Sequence, residues 1–167
     1  MNTLIPCIIM LFHMNFTTYF EQFSREEIFQ KKEPYDLQLH VKHLKDNTYH
    51  LIVTMELAEK THYVSPHSKG DYIGRFYIDV EENTQLKAKG TLLENPTPKE
   101  TSDPWTGNPV SFVRENTSYQ QQFIVTDTND FTINGVIGFV IEPRCTMENV
   151  KFSIVNKSGK LSIQKTN

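Results

Sequence analysis

From residue 35 onward, apolar and polar positions alternate with a period of two. Leu37, Leu39 and Val41 alternate with Gln38, His40 and Lys42. Leu51, Val53, Met55 and Leu57 alternate with Ile52, Thr54 and Glu56. A strand turns successive side chains to opposite faces, so each run reads as a strand with one face in a core. Between them, Lys45-Asp46-Asn47-Thr48 supplies turn residues, and the pair reads as a β-hairpin. Placing both apolar faces on one side pairs Leu39 with Met55 and Val41 with Val53, around a short odd-numbered loop at 46–48. A slip of one residue sets Leu39 opposite Thr54 and loses the core. In this register His40 lies opposite Thr54 and His50 opposite Leu44, both outward, while His43 falls on the core side.

The alternation continues. Phe76, Ile78 and Val80 form one strand, residues 86–93 a less regular one, and Phe123 with Val125 mark a third over 121–126. Phe131, Ile133, Gly135, Ile137 and Phe139 form a long run, followed by Val150, Phe152 and Ile154. Leu161 and Ile163 close the chain after the turn Lys157-Ser158-Gly159. The total is about eight antiparallel strands, with turn signals at the spacing of a sandwich. No helical period is sustained after Lys32, and no strand–helix–strand alternation appears, which excludes Rossmann and TIM-barrel folds. The expected architecture is all-β, an immunoglobulin-like β-sandwich over residues 33–167. One connection, residues 95–116, carries Pro96, Pro98, Pro104, Pro109, Gly107 and the only tryptophan, Trp105. Proline at this density argues against a central strand, and a connection this long in a compact domain is usually functional or disordered.

The first 32 residues read differently. Residues 4–12 (LIPCIIMLF) are apolar, too short to span a bilayer but matching the h-region of a signal peptide. They predict export to the periplasm or another extracytoplasmic space, and no stable membrane span. A short helix is expected over residues 22–30. With 167 residues, the chain is long enough to bury a core without disulfides. Its net charge of −3 argues against a nucleic-acid partner, which would require a basic face. Two cysteines, Cys7 and Cys145, exclude a disulfide scaffold and a four-cysteine zinc site.

Candidate chemistry is sparse. The six histidines include no pair at metal-ligand spacing, so no metal or other cofactor is expected. His62 and His67 flank a loop, where two ligands could meet an ion or a partner. No nucleophile motif occurs, and Lys69-Gly70 lacks the preceding glycine of a phosphate loop. No catalytic residue is assigned, with Cys145 the one alternative: Arg144 beside it is a cation able to favour a thiolate. Trp105 with Tyr119 can stack on a sugar or a peptide, against the plainer role of a tryptophan anchoring its loop over the core. The candidate binding residues are thus Trp105, Tyr119, His62, His67 and Arg144. The readings that follow are a binding or interaction module, a single-cysteine redox partner acting through Cys145, and a carbohydrate-binding or hydrolytic domain using residues 95–116.

Two segments carry a family resemblance. One is EKTHYVSP at 59–66, followed by the strand at 75–80; the other is FTINGVIGFVIEPRCTMENVKFSI at 131–154. In order and spacing they resemble the N-terminal periplasmic domain of the bacterial thiol:disulfide interchange protein DsbD and its stand-alone relatives. Gly135, Phe139, Cys145, Phe152 and Ser153 stand where that pattern puts them. The resemblance covers residues 35–156 and implies an immunoglobulin-like sandwich with a periplasmic thioredoxin-like or membrane protein as partner. It also implies passage of reducing equivalents through a cysteine pair in the penultimate loop. Cys145 matches the second cysteine of that pair. The first falls at 140–142, where this chain has Val140, Ile141 and Glu142, and Thr146-Met147 replaces the usual Pro-Pro. A dithiol relay needs two thiols, so the resemblance carries the fold further than the redox chemistry.

Overall fold

The computed structural model describes residues 33–166. The apolar run at 4–12, Cys7 and the helix expected over 22–30 lie outside the described residues. Among the described residues the protein is all-β, with eleven strands and no helix. In chain order they are β1 (Tyr35–Lys45), β2 (Thr48–Leu57), β3 (Tyr63–Val64), β4 (Tyr77–Val80), β5 (Leu86–Asn95) and β6 (Glu100–Ser102). Then come β7 (Pro109–Val113), β8 (Thr117–Val125), β9 (Phe131–Ile141), β10 (Thr146–Lys157) and β11 (Lys160–Lys165).

Two four-stranded antiparallel sheets, β1-β2-β8-β5 and β11-β10-β9-β4, turn their apolar faces to one core. The result is a sandwich-like arrangement. Period-two patterning explains it directly: Leu51, Val53 and Met55 of β2 are buried, as are Ile133, Ile137 and Phe139 of β9 and Phe152 and Ile154 of β10. Each buried aliphatic or aromatic side chain contributes about 1.5–3 kcal/mol. The eight strands read from the sequence are the eight of these two sheets. The other three, β3, β7 and β6, form a small third sheet at one end, in the order β3-β7-β6.

That sheet corrects the reading of residues 95–116 as a long connection without a central strand. β6 and β7 form inside it, and β7 is central to its sheet. Pro109 is the first residue of β7, a position where the missing amide N–H costs little.

The hairpin register is also corrected. Leu37 pairs with Met55, Leu39 with Val53 and Val41 with Leu51, two residues away from the expected register. Both registers keep the same residues inside, so the hydrophobic pattern cannot separate them. Turn geometry does: Asp46 adopts a positive φ of 48°, which tightens the connection to Asp46-Asn47, and Leu44 bulges out between His43 and Lys45. His40 therefore faces Ile52, and His50 faces Lys42. His43 shares the core-side face with its partner Tyr49 but is exposed at the end of the sheet; its ring packs 4.8 Å from that of Tyr49, and its Nε2 lies 2.7 Å from the Asp46 carbonyl oxygen.

Candidate binding groove

Aromatic side chains dominate the end of the core beneath the small sheet. Phe76 stacks on Tyr119 at 4.0 Å, and Tyr63 and Phe139 pack around Phe76 at 5.8 and 6.0 Å. Their polar ends converge on Glu94, which β5 turns inward. Its Oε1 accepts from the Tyr119 hydroxyl at 2.9 Å and its Oε2 from Ser65 Oγ at 2.6 Å. The Tyr63 and Tyr119 hydroxyls bond each other at 2.8 Å. Every member is buried and partnered, the condition under which a buried polar cluster is tolerated. Burial, with Glu94 nearby, pushes both phenols well above the ordinary tyrosine range.

Outside this cluster lies a groove of about 580 Å³. Half-buried Phe112 of β7 lines it together with Val64, His62 and Val140. Two flanking turns each bring an apolar side chain into the open: Ile73 is 94% exposed and Trp105 91% exposed. Neither turn is loose. Asp103 Oδ1 accepts from the backbone N–H groups of Trp105 and Thr106, both at 2.8 Å, and the Asp103 carbonyl accepts from Gly107 N at 2.8 Å. Those N–H groups of Thr106 and Trp105 hold the Asp103 carboxyl below its usual range. On the other turn, Gly74 O accepts from Val140 N at 2.8 Å, and a Cβ at Gly74 would stand 2.1 Å from Val140 Cγ2. Gly74 thus lets Ile73 stand out while its neighbour lies flat on β9.

The charged end of the groove is Arg114, His62 and Glu142. Arg114 Cζ sits 5.0 Å from the Phe112 ring centroid, and His62 meets the same ring edge-on at 5.1 Å. The backbones of His62 and Glu142 exchange hydrogen bonds of 3.1 and 2.8 Å, forming an isolated bridge. His62 Nδ1 is shut off from solvent with no hydrogen-bond partner. Burial lowers the His62 pKa, and the Arg114 cation lowers it further; Glu142 acts in the opposite direction. The imidazole is therefore neutral at neutral pH.

Of the residues singled out from the sequence, the structure brings Trp105 and His62 to one groove. Tyr119 is not with them: it is fully buried in the aromatic core, because β8 turns it inward against Phe76. Trp105 does not anchor its loop over the core either; the Asp103 turn holds it outward instead. His67 is exposed, and only its backbone N–H is engaged, by Ser65 Oγ at 3.1 Å. Among the described residues no three His, Cys, Asp or Glu side chains come together as a metal site would require. Cys145 is exposed, in a left-handed turn (φ 54°) between β9 and β10. Arg144 is committed to Glu148 at 2.5 Å and Glu33 at 3.3 Å, not offered to a ligand. The residues missed were Ile73, Phe112, Arg114 and Glu94. An isolated isoleucine between Gly70 and Gly74 was a visible signal for the first; the others depend on packing.

Among the described residues, no helix is long and apolar enough to cross a membrane. No protein-family model, curated protein or solved structure matches the chain.

Proposed function

We propose that this protein is a β-sandwich binding module, exported from the cytoplasm, that holds a partner in the groove between Ile73 and Trp105. One observation carries the reading. Two large apolar side chains, each more than nine-tenths exposed, border the same groove and stand on turns that hydrogen bonds hold in place. Leaving such surface in water has a cost that docking removes, and rigid aromatic anchors dominate binding energy at interfaces. The sheet orders support the immunoglobulin-like class. β1-β2-β8-β5 matches the ABED sheet of a constant-type domain, and β4, β9 and β10 match C, F and G, with β11 added at the edge. The resemblance to the thiol:disulfide interchange domain is proposed at the level of fold. Cys145 has no second cysteine among the described residues with which to cycle.

Trp105 is the only tryptophan in the chain, so its emission reports on the groove alone. Titration with peptides and with oligosaccharides should shift that emission for one class. Trp105→Ala should weaken binding by roughly tenfold or more, as loss of an interface anchor does. Cys145→Ser should bind as the parent does, and the protein should not reduce insulin disulfides. Binding that survives Trp105→Ala but fails in Cys145→Ser would replace this reading with the redox one.

A further inference from the structure

The charged end of the groove narrows the class of partner, on the reading that the groove is the binding site. Polar capacity inside it is limited. Asp103 Oδ1 accepts from its own turn, the Tyr72 hydroxyl donates to the Asn108 and Pro109 carbonyls, and His62 Nδ1 is closed to solvent. Ile73, Phe112 and Val140 offer no hydrogen bonds. What remains is an apolar floor bordered by charge: the carboxylates of Asp103 and Glu142 and, as the one full cation among the described residues that line it, Arg114. Arg114 makes no ion pair among the described residues, and its guanidinium lies against the Phe112 ring. A guanidinium held over a ring face can still turn N–H donors outward, and those suit a carboxylate.

We infer that the groove takes an extended peptide segment of a partner protein, with an aliphatic or aromatic side chain set between Ile73 and Trp105 and an acidic residue against Arg114. Glu142, bridged to His62 through the backbone, repels that acid and sharpens where it can sit. The two charges have opposite effects on the ligand and are separable by mutation. His62 serves as an internal gauge. It is faced by Arg114 beyond β7, by Glu142 at the end of β9, by the Phe112 ring and by the Lys60 backbone. A bound carboxylate at Arg114 offsets that cation, so the His62 titration moves upward on binding.

The test begins with a random heptapeptide library displayed on phage, selected on the full chain and counter-selected on Trp105→Ala. Enriched sequences should pair an apolar residue with Asp or Glu. The best one, made synthetically, should lose about tenfold in affinity when its acid is changed to the amide, the order of a charge-assisted hydrogen bond. Arg114→Gln should erase that discrimination, and Glu142→Gln should tighten the acidic peptide. The His62 titration, followed by NMR, should rise with the acidic peptide and stay in place with the amide. Enrichment of apolar sequences without an acid, or discrimination that persists in Arg114→Gln, overturns the inference and leaves the binding module standing. No enrichment over Trp105→Ala overturns both. Emission changes with oligosaccharides alone overturn the peptide in favour of a glycan.

Discussion

Two glycines of β9 show how single positions shape the sheet. A Cβ at Gly135 would stand 2.4 Å from the Phe152 ring and 2.7 Å from the Asp79 carbonyl oxygen. Phe152 is fully buried and Asp79 O belongs to the backbone, so neither can give way. Gly135→Ala should cost about 1–3 kcal/mol in chemical denaturation, the usual range for overpacking. Gly138 lies under the Tyr77 ring, but Tyr77 is 40% exposed and free to swing outward. Gly138→Ala should therefore cost under about 1 kcal/mol. Glu148 sets a pH response. Burial pushes its carboxyl up, but hydrogen bonds from Thr146, Arg144 and Tyr35 outweigh this and hold it below the ordinary range. A depressed carboxyl stabilises the fold fully above its unfolded value, about 4.3 for glutamate. That contribution is lost as pH falls through the folded value. Glu148→Gln should flatten the acid limb of stability below about pH 4 and leave its shape at neutral pH unchanged.

At the scale of elements, the hairpin separates what alternation can decide from what it cannot. Alternation puts Val53 and Met55 inside, and both are fully buried. Val53→Ala should cost about 1–3 kcal/mol and Thr54→Ala close to nothing, because Thr54 stands on the other face. Equal losses on denaturation would mean that the faces are exchanged. The register within the correct face was not legible, since a shift of two residues leaves every side chain on the same side. It was decided by the turn at Asp46 and the bulge at Leu44. β5 has a comparable irregularity between Lys89 and Leu93, with Gly90 at a positive φ of 71°. Beyond it, Glu94 pairs with Tyr119 and faces inward. A buried carboxylate on an edge strand runs against the hydrophobic pattern and also discourages edge-to-edge association. Asp103 acts on its own turn: Asp103→Ala should weaken groove binding by releasing Trp105, with the unfolding midpoint close to unchanged in a thermal melt.

Across the whole molecule, the buried polar cluster joins the parts. Glu94 and Tyr119 belong to the first large sheet, Tyr63 to the small sheet, and Ser65 follows directly after it. Tyr119→Phe keeps the ring stack but deprives Glu94 and the Tyr63 hydroxyl of a partner. It should cost about 1–3 kcal/mol, the range for buried polar groups left unsatisfied. Because the cluster lies beneath the groove, the same variant should also weaken ligand binding, which joint melting and fluorescence titration would reveal. The sequence by itself determined the all-β class, the eight strands of the two large sheets and the faces they bury. Those follow from a period of two, a local property of the covalent chain. It also marked Trp105 and His62 as residues of interest, through residue type and neighbourhood. Only the tertiary structure decided that these two share a groove, that Tyr119 belongs to the core and Arg144 to an ion pair, and that Ile73, Phe112 and Arg114 line the same groove. Each of those depends on which strands lie side by side, and the pairing of segments dozens of residues apart is set by packing across sheets, not by any pattern within one strand.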